Sequence, residues 1–441
     1  MGDQMNIQFS RTIEVKKEVD VFIAGGGPSG VVAAVAAARA GAKVFLAERE
    51  QCFGGMGTIA QVPAFMRFSD GVNFLAGGVG REIFERLYGE EADYTEKEYS
   101  IDLEKLKLIY DEMMLESGAD FTFSTDLIAA EVENGEIKYV VVKGKEEIFA
   151  VKAKVYIDTT GDGILAAWAG APFEKGDDEG AMMPGTLCTI WHNIDWDRAI
   201  VEIGKDPDNR FLHKAFEEGM FTVKDPSLPG MWKFERDLGG GNIGHVFGVD
   251  GTDEKSITNG IIDARKRMHE YQTYYNKYLD GYENAKIVTS APVLGIRESR
   301  RIMGEKVLTS DAYFEHSDFE DEIGRYNYPI DLHSSSPGKK AKNEKFIGIY
   351  AKDYEKGKSY GIPFGTLLPK NTKNVLVAGR AISADREIMG SIRVMPCCYI
   401  TGMAAGTAAA LAAIQDVAVR EIDIKKLQFT LKEMGAFLPN C

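Results

Sequence analysis

From Val19 the chain reads Val-Asp-Val-Phe-Ile-Ala-Gly-Gly-Gly-Pro-Ser-Gly, passes through an alanine-rich stretch, and reaches Lys43-Val-Phe-Leu-Ala-Glu48. Few folds accept that order. An apolar strand (Val19 to Ala24) meets the turn Gly25-x-Gly27-x-x-Gly30, a helix of small side chains runs from Val31 to Ala40, Gly41 closes it, and a second apolar strand ends at Glu48. Gly25 permits the tight turn, Gly27 lets backbone approach a pyrophosphate, and Gly30 lets the helix lie close on the strand. Pro28 and Ser29 stand at the helix start, where unpaired N–H groups and the positive end of the helix dipole favour phosphate. Glu48 is placed to accept hydrogen bonds from ribose hydroxyls. A glycine triplet alone could serve packing only; with strand, helix, second strand and acid in place, the segment reads as a dinucleotide cradle.

The rest of the chain sets bounds. A length of 441 residues suggests two or three domains. Against 67 Asp plus Glu stand 52 Lys plus Arg, a formal charge of -15 that opposes binding to nucleic acid and to anionic membranes. The five cysteines (Cys52, Cys188, Cys397, Cys398, Cys441) show no metal-ligand or CxxC spacing, as expected of a reducing compartment. Met1 to Glu18 is polar, and the most apolar later run, Gly402 to Ile414, is too short for a bilayer. These features predict a cytoplasmic protein with no nucleic-acid partner, no membrane span and no metal site.

Periodicity predicts helices at Phe74 to Tyr88, Asp102 to Ser117, Ile164 to Ala169, Lys255 to Leu279 and Pro396 to Ile414. Strands are predicted at Asp120 to Ser124, Leu127 to Glu133, Glu136 to Val142, Glu147 to Val151, Lys154 to Asp158 and Asn374 to Arg380, the middle ones forming an antiparallel meander. Between about 171 and 370 the βα alternation stops and aromatic and loop residues increase. The expected fold is α/β: a discontinuous Rossmann-like domain with a β-meander, residues 1–170 and 371–441, plus an α+β substrate or cap domain, residues 171–370. A second glycine triplet, Gly239-x-Gly241-x-x-Gly244, follows charged residues and leads into His245-Val-Phe-Gly-Val, so it reads as a β turn and not as another cradle.

Three further segments carry a family resemblance: Glu48-Arg-Glu-Gln-Cys-Phe-Gly-Gly-Met-Gly-Thr58, Ile157-Asp-Thr-Thr-Gly-Asp-Gly163, and Val375-Leu-Val-Ala-Gly-Arg-Ala-Ile-Ser-Ala-Asp385 continuing through Gly390-Ser-Ile-Arg-Val-Met-Pro-Cys-Cys398. Together they resemble the FAD-dependent oxidoreductases of the glutathione-reductase-like two-domain fold, distant relatives of fumarate reductase and thiazole-synthesis flavoproteins. The resemblance implies bound FAD. Arg49, Gly54, Gly55, Met56, Gly57 and Thr58 would lie along its pyrophosphate and ring, and Thr160, Gly161 and Asp162 beside its adenosine half. Leu127 joins the expected cofactor contacts, as do Gly379 and Arg380; Arg380 departs from the acidic residue that many relatives carry there. Physically, a reduced flavin gathers negative charge along N1 and O2, which a helix start at Arg393, Val394 and Met395 would stabilise. The turn Gly54 to Thr58 contains no His, so attachment is expected to be noncovalent.

Candidate catalytic residues are Arg297 and Arg300, within Arg297-Glu-Ser-Arg-Arg301, which could hold an anion or fix the domain interface, and His245, chosen from six histidines with His192, His213, His269, His316 and His333. His269 lies in a charged helix and is expected at the surface. Cys397 and Cys398 stand where a helix dipole would lower a thiol pKa, although crowded structural thiols are commoner there. Tyr360-Gly-Ile-Pro-Phe-Gly365 could pack on the ring, on substrate or in the core. The expected function is hydride exchange between flavin N5 and a small-molecule substrate, with an electron donor or acceptor of unknown identity. The alternatives are an NAD(P)-linked dehydrogenase and a flavin-binding electron-transfer subunit without catalysis of its own.

Overall fold

The computed structural model describes residues 7–199, 209–226, 230–337 and 354–441. Residues 1–6 of the polar leader and parts of the expected cap domain lie outside them. The main sheet has seven strands, in the order Asp120–Thr122, Val44–Ala47, Val15–Ala24, Ile148–Asp158, Glu136–Lys143, Asp126–Glu133, with Val375–Val377 also on Ile148–Asp158. Val21, Phe22 and Ile23 are fully buried, as expected of a parallel strand covered on both faces. The two strands expected at Glu147 to Val151 and Lys154 to Asp158 are one. Its first half pairs antiparallel with Val140–Lys143 of the meander, and its second half pairs parallel with Val375–Val377. The exposed Lys152 and Lys154 and the half-buried Ala153 at the change of partner break the apolar pattern and mimic a loop.

Helix Pro28–Arg39 follows the first strand and buries every residue from Ser29 to Ala37. It packs on Met395–Gln415, and the small residues explain how closely. A Cβ on Gly402 would stand 2.3 Å from the Ser29 carbonyl oxygen, and one on Gly406 2.1 Å from that of Ala33. This second helix is longer than the apolar run read from the sequence: its 21 residues suffice by length and composition to cross a bilayer, but 89% of its most apolar window is buried in the fold. It is the central core helix of the domain. The helix expected from Phe74 starts only at Val79, because Gly78 has φ 63°, outside the helical region.

A second, antiparallel sheet has the order Gly230–Lys233, Gly239–Asn242, Thr189–His192, Lys286–Ser290. Helix Glu254–Tyr278 packs beside it, and Trp191, Phe216, Tyr271, Tyr275 and Tyr282 form a separate core. The Gly239 triplet is a strand here and not the expected turn; a Cβ on Gly240 would meet the Phe234 ring at 2.3 Å. His245 to Val249 forms no strand, and only Val246 bridges to Gly185. No helix starts at the triplet, the next one beginning only at Glu254, so it supplies no second cradle. After Arg300 the chain returns to the first core, to which Ile302, Tyr326, Tyr360 and Phe364 contribute.

Candidate active site

A cavity of about 580 Å³ lies between the two sheets, bordered on one side by Gly27, Pro28, Thr160 and Val394 and on the other by Thr186, Asn242 and Arg297. Its floor is the cradle. Helix Pro28–Arg39 has no side-chain cap, and its first internal bond runs from the Val31 N–H to the Gly27 carbonyl, so the Ser29 and Gly30 N–H groups are left for a ligand. A Cβ on Gly30 would stand 1.9 Å from the Gly25 carbonyl oxygen, whereas one on Gly27 would come no nearer than 4.0 Å to the protein. Glycine at 30 thus lets helix meet strand, and the open space at Gly27 is where a pyrophosphate belongs. FAD fits this cradle.

The expected cofactor residues surround it at different depths. Gly55 and Met56 border the cavity in the turn Gly55–Gly57, and a Cβ on Gly55 would be 3.3 Å from the Gly27 Cα. Gly54 and Gly57 pack behind, against Tyr110 and Met395. Thr160 and Gly161 border the cavity too. Val394 and Met395 bring the start of the core helix, which has no side-chain cap, to the same space. Pro396 occupies the second helical position, not the first. Arg380 lines the cavity but is held by the Gly161 carbonyl at 2.9 Å and the Asp162 carboxylate at 2.7 Å, so it clamps two loop ends together. Gly379 lies against Ser29.

Gly25, Gly30, Glu48, Asp162, Gly379 and His245 stand behind the lining with Gly54 and Gly57, and four more expected residues point elsewhere. Arg49 is exposed and pairs with Glu50 at 3.3 Å. Thr58 is buried, its hydroxyl donating to the Phe53 carbonyl. Leu127 pairs with Val142 in the meander. Arg300 donates to the Asp162 carbonyl at 3.1 Å and lies over the Phe173 ring. Each is drawn away by a nearer acceptor or by apolar packing.

Glu48 is buried, and its carboxylate accepts the N–H groups of Gly26 and of Glu50, the latter at 2.7 Å. Burial raises its pKa above the ordinary carboxylate value. It therefore ties the glycine turn to the second strand as well as ending that strand. Glu48→Ala is expected to leave the fold intact by circular dichroism but to lose flavin on gel filtration, since the buried Gly26 N–H, at about 1–3 kcal/mol, and the part-buried Glu50 N–H lose their acceptor. Unchanged flavin content would refute the assignment.

The catalytic candidates separate. Arg297 is buried and borders the cavity; it donates to the Pro184 carbonyl at 2.9 Å, to Thr186 Oγ1 at 2.8 Å and to Asn242 Oδ1 at 3.3 Å. All three acceptors are neutral. Burial and the nearby Arg393 bring its pKa down to about 10. His245 is 3% exposed and lies behind the cavity wall. Its Nδ1 is 3.0 Å from the Asp225 carboxylate and its Nε2 is 2.8 Å from Nδ1 of His333. His333 Nε2 lies 3.2 Å from Asp331, whose other oxygen accepts from Arg393 at 2.7 Å. His333, Asp331 and Arg393 border the cavity. Asp225 and Asp331 are not legible in the sequence: they lie 20 and 86 residues from His245, and the only local hint is the spacing Asp331-x-His333. His269 is exposed, as expected. Cys397 and Cys398 are free, and burial outweighs the helix dipole, pushing Cys398 up to about 12 and Cys397 well above the ordinary thiol value. They are packing residues rather than a redox pair.

Among curated proteins, digeranylgeranylglycerophospholipid reductase 2 of Methanopyrus kandleri is 23% identical over 304 residues, 66% of this chain and 69% of that protein. The digeranylgeranylglycerophospholipid reductase of Methanocella arvoryzae is 28% identical over 173 residues, 35% of this chain and 43% of the relative. Among solved structures, a geranylgeranyl bacteriochlorophyll reductase-like protein of Thermoplasma acidophilum aligns with TM-score 0.47 and 14% identity, over 95% of this chain and 84% of that one. The p-nitrophenol 4-monooxygenase of Pseudomonas putida aligns with TM-score 0.48 and 12% identity, over 94% and 84%. The FAD dependent oxidoreductase family profile matches residues 20–431, nearly the whole chain. The cradle, the uncapped helix start on the same side of the cavity and this match converge: the chain belongs to the FAD dependent oxidoreductase family, and FAD is its cofactor.

Proposed function

We propose that the protein is an oxidoreductase for a small anionic substrate, bound in the cavity between the cap sheet and the start of the core helix. The observation that carries this reading is Arg297: a buried cation bordering the cavity, hydrogen-bonded only to neutral acceptors. A buried charge of that kind is costly until an anion joins it. The neighbouring Arg393 is ion-paired with Asp331, which acts on Arg297 only from beyond hydrogen-bond distance, so Arg297 is the anchor with no carboxylate directly on it. Bound FAD supplies hydride chemistry at N5. Around it the chain orients substrate through Arg297 and Asn242, keeps the helix start aimed at the flavin edge, and excludes water with Met66, Trp232 and Tyr328.

The Gly239 strand runs into a loop and not directly into a helix, which favours a visiting small molecule over a nicotinamide held in a second cradle. The free thiols and the net charge of -15 support a cytoplasmic setting. The test is anaerobic bleaching of the bound flavin by carboxylate-bearing and phosphate-bearing hydride donors, and reoxidation of the dithionite-reduced protein by the matching anionic acceptors. At least one anionic class should react, its neutral amide or ester counterpart at least tenfold slower, and NADH and NADPH should not bleach the flavin. Equal reaction of neutral counterparts, or rapid bleaching by NADH, would overturn the reading. No reaction with any small donor, together with a stable protein partner on pull-down, would favour an electron-transfer subunit.

A further inference from the structure

Two walls of the cavity are strand faces, and strand alternation decides which side chains they present. In the cap sheet, Gly230–Lys233 pairs with Gly239–Asn242 so that Trp232 stands opposite Gly240 and Gly230 opposite Asn242. Residues opposite one another share a face. Met231 and Trp191 belong to the cap core, while Trp232, Asn242 and Cys188 point the other way and line the cavity. A Cβ on Gly240 would stand 2.5 Å from the Pro63 Cβ, so this face lies against the nucleotide domain. There the strand Ala64–Met66 pairs with Glu98–Ser100, burying Phe65 and Tyr99 and turning Ala64, Met66 and Glu98 to the same cavity. The two walls are joined at one end. The Trp232 indole N–H donates to the Glu98 carboxylate at 2.8 Å, and the Ser100 hydroxyl donates to the Lys233 carbonyl at 2.7 Å.

Polar and apolar groups are sorted along this slot. Arg297 gives its Nη1 hydrogens to the Pro184 carbonyl and to Thr186, and one Nη2 hydrogen to Asn242. Of the donors on a guanidinium, the Nε–H and the other Nη2–H then take no acceptor among the described residues, enough to hold both oxygens of one carboxylate. Asn242 is two residues along its strand from Gly240, so the indole opposite Gly240 is offset roughly 7 Å along the sheet from the anion anchor. That end presents Trp232, Met66 and Ala64, and the charge it shows the cavity is that of Glu98. One anion fits at Arg297; a second, placed at the far end, would meet a carboxylate.

On the anionic-substrate reading above, we infer that the substrate is a monocarboxylate with a compact apolar body, a single aromatic ring or a branched hydrocarbon group. Its carboxylate lies on Arg297 and its body between Trp232 and Met66. Glu98 is the specificity-determining residue, because it opposes any ligand that carries a second negative group at the body end. Trp232 acts twice, with the ring face toward the body and the N–H holding Glu98 in place. The size limit comes from the same wall. Phe234 and Pro63 fill the face at Gly240, where a Cβ would stand 2.3 Å from the Phe234 ring, so the slot ends beside Trp232 and has room for a ring but not for a long chain.

Titration of the FAD-loaded protein with benzoate, acetate, terephthalate and benzamide, followed in the flavin absorption spectrum, tests this without a known substrate. Benzoate should bind roughly tenfold or more tightly than acetate, because its ring is buried against Trp232 and Met66. Terephthalate, with a second carboxylate across the same ring, should bind roughly tenfold or more weakly than benzoate. Glu98→Gln keeps an oxygen for the Trp232 N–H and removes the charge, so the preference for benzoate over terephthalate should fall roughly tenfold. Trp232→Ala and, from the opposite wall, Met66→Ala should each lower the preference for benzoate over acetate. Equal affinity for benzoate and acetate in the wild type, or a benzoate-to-terephthalate ratio that Glu98→Gln leaves unmoved, would overturn the inference. Benzamide binding as tightly as benzoate would instead bring down the anionic-substrate reading beneath it. Benzoate ahead of benzamide but level with terephthalate would bring down the role of Glu98 and leave that reading standing, so the two failures are distinguishable.

Discussion

Gly406→Val is expected to leave little folded protein. The first Cβ atom would stand 2.1 Å from the Ala33 carbonyl oxygen and 2.8 Å from its carbon, and both belong to the backbone of a helix buried from Ser29 to Ala37. A flexible side chain could swing away; a helix wedged between the main sheet and its neighbour cannot. Separating the two helices would open the core along their whole contact and pull the start of Pro28–Arg39 off the cradle. The cost is about 3 kcal/mol or more for the overpacking itself, a large share of the roughly 5–15 kcal/mol that stabilises a typical protein. Soluble yield, flavin content and the thermal transition should all fall together, and Gly406→Ala should show a milder version of the same loss. A Gly406→Val protein that is soluble, yellow and melts within a few degrees of the wild type would show that this helix contact is looser than described.

Arg297→Met is expected to weaken binding of anionic ligands. The substitution removes a buried cation and keeps an unbranched apolar chain of similar reach. The Pro184 carbonyl, Thr186 and Asn242 lose a donor, but burial of an uncompensated charge is relieved, and these effects oppose one another in the fold. For an anionic ligand there is no such offset. Losing a charge-assisted hydrogen-bonded partner worth about 1.5–3 kcal/mol should weaken binding roughly 10- to 150-fold. Titration of the flavin absorption spectrum with a small carboxylate such as benzoate or oxalate would show it. Arg297→Lys, which keeps the charge and loses the planar fork, should fall in between. Equal affinity in the wild type and Arg297→Met would remove the anion anchor.

The two halves of the site differ in how readable they are from the chain, for a physical reason. The cofactor side is written in local sequence, because strand, glycine turn and helix are contiguous and each glycine answers a clash within a few residues or with the next element. Gly25 to Glu48 is therefore legible from the residues alone, whereas the core helix reads as starting at Pro396, one residue late, and only the family resemblance points its start at the flavin. The substrate side is assembled by the fold. Arg297 stands out in sequence only as part of an arginine-rich segment, and it is the tertiary arrangement that separates it from Arg300, which is pulled to the Asp162 carbonyl and the Phe173 ring. The glycine-rich surroundings of His245 single it out among the histidines, yet the ring that reaches the cavity is His333, brought to it by a chain return that leaves no periodic signature. The strand Ile148–Asp158 shows the same limit in the fold, since its apolar pattern changes where its partner changes. The glycines at 239–241 make room for Trp196, Phe234 and Thr189, a tertiary demand that imitates a nucleotide motif in sequence.

A crystal structure of the FAD-loaded protein grown with a small carboxylate tests both halves at once. The expected result is the diphosphate at the Ser29 and Gly30 N–H groups, the flavin edge at the start of the core helix beside Val394 and Met395, and the carboxylate within hydrogen-bond distance of the Arg297 guanidinium. A carboxylate bound elsewhere in the cavity, with Arg297 still satisfied only by Pro184, Thr186 and Asn242, would contradict the anionic-substrate reading.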